Sequence, residues 1–79
     1  MDTGAVGKFI AKQRRIQGLT QAELGACLGV SNKTVSRWEN GNYLPDLSLL
    51  RLLAQTLHVS VDEILAAERE TYEFLESRW

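Results

Sequence analysis

Residues 20–41 read TQAELGACLGVSNKTVSRWENG, and this spacing specifies two short helices joined by a tight turn. Thr20 precedes Glu23 by three residues, the pattern of a capping box in which hydroxyl and carboxylate each satisfy an orphan amide. Leu24 and Leu28 share the inner face of the helix that follows, and Gly29 ends it after little more than two turns. Ser31 is placed to cap the next helix, where Val35 and Trp38 lie three apart on the buried side. Leu24, Gly25, Leu28, Val30, Val35 and Trp38 are thus the predicted seam. Ala at position 25 would favour the helix by about 1 kcal/mol, so Gly25 makes physical sense where another backbone approaches closely. Asn40-Gly41-Asn42 reads as a turn or helix end.

The flanking sequence is helical as well, with no sustained period-two stretch. Before the pair, Val6, Phe9, Ile10 and Ile16 give an apolar stripe broken by Gln13; Thr3 can cap its start, and Gly18 follows as a stop. After it, Pro45-Asp46 opens a fourth helix with Leu47, Leu50, Leu53, Ala54 and Leu57 inward and Leu49 and Leu52 as extra apolar surface. His58-Val59 form a link. Ser60 and Glu63 make a second capping box that starts a fifth helix with Ile64 and Leu65 inward. Residues 66–79 extend that helix or form another, with Tyr72, Leu75 and Trp79 along one face and Phe74 beside them. The expected architecture is all-α, a compact five-helix bundle with a helix-turn-helix at about residues 20–39. Residues 1–67 form the domain. Residues 68–79 form a C-terminal helical extension that covers the domain's own core, a second subunit or a protein partner.

Composition limits the function. Seventy-nine residues, 44% hydrophobic and 24% charged, make one small globular domain, too short for most enzymes that enclose a substrate. One cysteine and one histidine exclude an intramolecular disulfide framework and argue against a closed protein-only zinc site, so neither metal nor cofactor is expected. Cys27 reads as packing filler, His58 as structural, and Asp62-Glu63 as the first turn of a helix. There is no Ser-His-Asp order, phosphate-cradling glycine loop or HExxH, and no enzyme is expected. The apolar stretches are short and carry charges at helical spacing, and a secretory pattern is missing from the N-terminus. A cytoplasmic protein with no membrane partner is the expectation.

The net charge of −1 conceals an uneven distribution. Residues 1–38 carry Lys8, Lys12, Arg14, Arg15, Lys33 and Arg37 against Asp2 and Glu23, a net +4, and residues 39–79 carry a net −5. A folded chain can therefore turn a basic face to a polyanion. The second helix of the predicted pair is braced from behind and protrudes, with the diameter to enter the major groove of double-stranded DNA. Its outward residues Ser31, Asn32, Lys33, Thr34, Ser36 and Arg37 all hydrogen-bond and none is acidic. Lys33 and Arg37 have the chemistry to donate to guanine O6 and N7, Asn32 to pair with adenine, and the Thr34 methyl to touch thymine. Gln21 lies in a first helical turn, where free amides favour a phosphate. Thr20 is first a cap and secondarily a phosphate contact. Asn40, Asn42 and Tyr43 can clamp the DNA backbone or simply form the turn.

The run LTQAELGACLGVSNKTVSRWENG followed by LPDLSLLRLLAQTLHVSVDEIL resembles the Xre or Cro/CI-type helix-turn-helix domain of phage repressors and many bacterial regulators. The likeness covers roughly residues 6–65, and its elements T-Q-x-E-L, L-G-V-S, S-x-W-E-N-G and V-S-x-D-E-I-L are specific as a set. It implies a five-helix domain that regulates transcription, in repressor style, as a symmetric dimer on operator DNA. It also implies that Gln21 touches phosphate or supports a base contact, that Asn32, Lys33 and Arg37 read base edges, and that Asn40 contacts phosphate. Arg14 corresponds to the family's helix-one cation and would pair with Glu39 while leaning toward phosphate. Gly25 departs from the usual Ala, and the segment beyond Ala67 lies outside the shared pattern. Candidate dimer surfaces are Leu49, Leu52, Tyr72, Leu75 and Trp79; no small-molecule ligand is expected. The acidic, aromatic tail supports an alternative: a small antitoxin or anti-regulator that grips a protein partner, with DNA binding secondary.

Overall fold

The computed structural model describes residues 3–67. Helix α1 spans Thr3–Ile16, α2 Gln21–Leu28, α3 Asn32–Glu39 and α4 Leu47–Leu57, and α5 occupies 61–67. This is the expected all-α five-helix bundle, without a strand among the described residues. Helices α2 and α3 pack on each other, α1 crosses α3, and α4 supports α1 and α2 from the other side. Ile10, Leu24, Val35, Trp38, Leu53, Leu57 and Ile64 meet in the centre and are essentially sealed from solvent. Truncating any one of the aliphatic members to Ala would cost about 2–5 kcal/mol, a large share of the ~5–15 kcal/mol that holds a small domain together.

The helix boundaries follow from local chemistry. Both capping boxes form: Glu23 N–H donates to Thr20 Oγ1 at 3.0 Å and Thr20 N–H to Glu23 Oε1 at 2.9 Å, and Ser60 and Glu63 make the same exchange. Gly18 and Gly29 stop α1 and α2 at φ 73. At the end of α4 the left-handed position falls to His58, φ 59, the sole non-glycine residue with positive φ among the described residues.

Five local expectations are corrected. Leu65 is 45% exposed, one position past the buried Ile64, which alone of the two fills the core. Ile16 is 62% exposed; the inner face of α1 is Val6, Gly7, Ile10, Ala11 and Arg14, and on that 3.6-residue period position 16 turns away from it. Leu47, the first residue of α4, is 81% exposed, while Leu50, Leu53, Ala54 and Leu57 fill the core. Cys27 is exposed rather than packed; one position before Leu28, it lies about 80° around the helix from the middle of the Leu24–Leu28 stripe. Thr3 lies inside α1, and its hydroxyl donates to the Gly41 carbonyl instead of capping. The α4 start is also less firmly tied than the sequence suggests: Asp46 is the N-cap but makes no side-chain cap bond. Its carboxylate accepts instead from Ser48 Oγ at 3.3 Å.

Candidate nucleic-acid interface

The prominence of α3 comes from how its ends and inner face are fixed. Ser31 Oγ accepts the Thr34 amide at 3.2 Å and lies 3.1 Å from the Thr34 hydroxyl, so the helix starts rigidly. Val35 and Trp38 are buried against Leu24 and Leu28, with Val30 partly buried beside them. At the turn between α2 and α3 the close backbone approach inferred at Gly25 is present. A Cβ there would stand 2.6 Å from the Val30 carbonyl oxygen.

The opposite side of α3 is left to solvent. Asn32, Lys33 and Arg37 are exposed, and Thr34 and Ser36 are half-buried. Thr34 has its hydroxyl engaged with Ser31. Asn40, Asn42 and Tyr43 continue this surface past the helix end, all exposed. Asn40 Nδ2 reaches back to Ser36 Oγ at 3.4 Å, and the Asn42 amide donates to the Arg37 carbonyl at 2.9 Å. Thr20 is exposed at the start of α2, with its hydroxyl and amide occupied by the capping box.

The single carboxylate of α3 does not join this face. Glu39 is turned inward, its side chain 6% exposed. Its Oε2 accepts from Arg14 Nε at 2.6 Å and its Oε1 from Arg14 Nη2 at 3.0 Å, a bidentate pair. Gln21 Nε2 donates to the same Oε1 at 3.0 Å, and Arg14 Nη1 donates to the Leu19 carbonyl at 2.8 Å. One buried carboxylate thereby ties α1, the start of α2 and the end of α3 together. Hydrogen bonding to Glu39 holds the Arg14 guanidinium protonated more firmly than usual, against the opposing pull of burial. The family resemblance implies that Arg14 both braces and leans toward phosphate. With all three nitrogens directed inward and only 10% of its side chain exposed, it is placed as a brace. Gln21 is half-buried, and one of the two hydrogens of its side-chain NH2 goes to Glu39.

The remaining candidates divide. Leu49 is half-buried against the core and Leu52 is 41% exposed; Tyr72, Leu75 and Trp79 lie outside the described residues. No cluster of His, Cys, Asp or Glu suited to a metal occurs among the described residues, and none of their helices is long and apolar enough to cross a membrane. Sequence reasoning missed Gly7. It lies where α1 crosses α3, and a Cβ would stand 2.2 Å from the Trp38 carbonyl oxygen. The signal was a glycine in mid-helix at the same period as Val6, Ile10 and Arg14.

A family model described as Helix-turn-helix, HTH_3, matches residues 10–64. An uncharacterised HTH-type transcriptional regulator, y4dJ, of Sinorhizobium fredii is 41% identical over 66 residues, covering 84% of this chain and 86% of that protein. The antitoxin PezA of Streptococcus pneumoniae is 31% identical over 64 residues, 81% of this chain. Among solved structures, the P22 c2 repressor in complex with a synthetic operator superposes with a TM-score of 0.72 at 34% identity, over 75% of this chain and 89% of that one. Several of the relatives are longer: the chain spans 40% of PezA and 32% of the Salmonella phage P22 repressor C2.

Proposed function

Since the chain belongs to the Xre or Cro/CI-type helix-turn-helix family, whose fold is that of DNA-binding regulators and not of enzymes, we propose that it represses transcription by binding a specific duplex sequence as a symmetric dimer. The observation that carries this reading is the outward side of α3: Asn32, Lys33 and Arg37 project from a helix fixed at its cap, braced behind by Leu24, Leu28, Val35 and Trp38, and its only carboxylate is buried against Arg14. Such a face meets phosphates without repulsion and offers donors to guanine and adenine. Arg37 and Lys33 donate to guanine edges, Asn32 to adenine, and the Thr34 methyl meets thymine. Thr20 and the first turn of α2 at Gln21, with Asn40, Asn42 and Tyr43 beyond α3, contact phosphates on either side of the groove. Two heads bind half-sites about 34 Å apart in successive major grooves, with Leu52, Leu49 and the residues Tyr72, Leu75 and Trp79 as the dimer surface. The likeness to the repressor solved on its operator supports this reading.

Selection from random duplexes by the purified protein, followed by binding at several salt concentrations, tests it. A palindromic consensus with half-sites one turn apart is expected, and a log–log salt slope of roughly −0.9 per phosphate contact. Arg37→Ala and Lys33→Ala should each lose about 1–3 kcal/mol of discrimination at one base position. Absence of a salt slope, or parental binding by both variants, defeats the assignment. A second reading, that of an antitoxin whose 68–79 segment holds a protein partner, draws on the likeness to PezA. Truncation after Ala67 followed by sedimentation separates the two uses of that segment. A monomer that still recognises single half-sites is the outcome expected of a dimerisation tail, and an unchanged oligomeric state removes that role.

A further inference from the structure

The first two turns of α1 lie against the far end of α3, and the chain there leaves no room for side chains. Beyond the Trp38 contact already described, a Cβ on Gly7 would stand 2.8 Å from the Glu39 carbonyl oxygen, and one on Gly41 would stand 2.9 Å from Gly4 Cα and 3.1 Å from Gly4 N. Every one of these obstacles is backbone, which cannot swing aside as a side-chain tip can. Across the same contact the Thr3 hydroxyl donates to the Gly41 carbonyl. Gly41 itself, at φ 78, joins Asn40 to Asn42 and Tyr43. Its amide donates to the Trp38 carbonyl at 3.0 Å and the next amide to Arg37. The 40–43 loop is therefore pinned from two directions, by the end of α3 through its amides and by the start of α1 through Thr3 and the glycine contacts.

We propose that Thr3 and Gly7 are positioning residues for DNA binding: they seat the 40–43 loop and the last turn of α3 on α1, and so set where Asn40, Asn42 and Tyr43 meet the phosphate backbone relative to the base-reading residues. This inference rests on the DNA-binding reading. Thr3 and Gly7 belong neither to the outward face of α3 nor to the start of α2. They act through the loop they hold, and Gly7 works by lacking a side chain.

Thr3→Val keeps the side-chain shape and removes the donor, whereas Thr3→Ser keeps the donor. The probe is the duplex selected by the parent protein from a random library, titrated in the full chain at several salt concentrations. Thr3→Val is expected to weaken binding roughly tenfold at moderate salt and to make the log–log slope shallower by about 0.9 for each phosphate contact released. Its thermal midpoint should fall by no more than the loss of one part-buried hydrogen bond brings, and Thr3→Ser should restore affinity and slope. A purely structural Thr3 would move the melting transition and leave the slope alone. Gly7→Ala should shift binding in the same direction and further; should it fail to fold, the Thr3 pair still decides. Thr3→Val with the parent's affinity and slope overturns the proposal, as does a Thr3→Ser variant that fails to rescue. Arg37→Ala on the same duplex keeps the two ideas apart. If the parent selects no duplex or binds without a salt slope, the DNA reading falls and takes this one with it. If the parent binds steeply, Arg37→Ala binds more weakly and Thr3→Val is unchanged, only the positioning role is lost.

Discussion

The two ends of this domain are built to different tolerances. Around α2 and α3 nearly every junction is held by a specific bond: a reciprocal capping box at Thr20 and Glu23, a left-handed glycine at Gly29, a serine cap on α3, and a buried Arg14–Glu39–Gln21 cluster. Around α4 itself the ties are looser, although Gln17 donates to the Leu57 carbonyl and a capping box at Ser60 and Glu63 follows. Asp46 caps without a side-chain bond, His58 occupies a left-handed position, and Leu47 and Leu52 are substantially exposed. Both regions contribute aliphatic residues to one core cluster, so the difference is not one of hydrophobicity. On the proposed function, the tight region is the one whose position reading base edges would require to be fixed to a fraction of an ångström, and the looser one is where oily backing suffices. Substitutions should therefore separate the halves in size and in sign.

The largest effect is expected at the buried pair. Arg14→Met fills the same space but strands the Glu39 carboxylate, and breaking a buried pair in this way costs about 3–5 kcal/mol. Adding Glu39→Gln to it removes the stranded charge and should recover part of that loss. Chemical denaturation of both variants checks it; an Arg14→Met protein within 1 kcal/mol of the parent would mean that the pair behaves like a surface ion pair. Next comes Gly25→Ala. Helix propensity favours the change by about 1 kcal/mol, but the new Cβ meets the Val30 carbonyl at 2.6 Å, and overpacking of this kind costs about 1–3 kcal/mol. A net loss of stability is expected. The family usually has Ala at this position, so a net gain would show that the turn between α2 and α3 opens easily, and would erase the contrast between the two ends at its most specific point.

How much of this was legible in the sequence differs between the same two regions. The capping boxes, Gly29 and the Leu24–Leu28–Val35–Trp38 seam could be read because each depends on residues three or four apart, the range over which helical geometry is fixed. The close approach at Gly25 was readable because a glycine interrupts a good helix there for no local reason. Ile16, Leu47 and Cys27 were misplaced, since a helical period identifies a face but not where the neighbouring helix ends or how wide the buried stripe is. The Arg14–Glu39 pair joins positions 25 residues apart and was available only through the family resemblance. Gly7 went unread for a related reason: a missing side chain leaves no mark in a hydrophobic pattern, and its purpose is visible only once Trp38 and Glu39 lie across it.

On the looser side the predicted sign reverses. His58 holds φ 59 with a side chain, where glycine relieves the steric penalty of the left-handed region. His58→Gly should therefore raise stability by about 0.5–1 kcal/mol without altering DNA affinity. The same measurements, denaturation and duplex binding, apply. A destabilised His58→Gly protein would show that the imidazole makes a contact of its own and that the end of α4 is as closely specified as the turn between α2 and α3.

The smallest effect concerns the first of the tight junctions. The Thr20 amide, with its hydroxyl in support, holds the Glu23 carboxyl below its ordinary value of 4.5. A carboxyl depressed in the folded state adds stability above its ordinary pKa, and the folded protein loses that contribution as the pH falls from there through the depressed value. The contribution of Glu23 to the thermal midpoint should accordingly be present and independent of pH near neutrality, and decline below about pH 4.5. Glu23→Gln retains an oxygen to accept the Thr20 amide but cannot titrate. It should start slightly less stable at pH 7, because a neutral acceptor is weaker and the helix N-terminus loses a favourable charge. At low pH, where Glu23 in the parent is protonated, the two proteins should converge. Parallel curves across the whole acid range would mean that the carboxylate's charge contributes nothing and that the capping geometry alone holds the start of α2. The tight region would then differ from the loose one in shape and not in electrostatics.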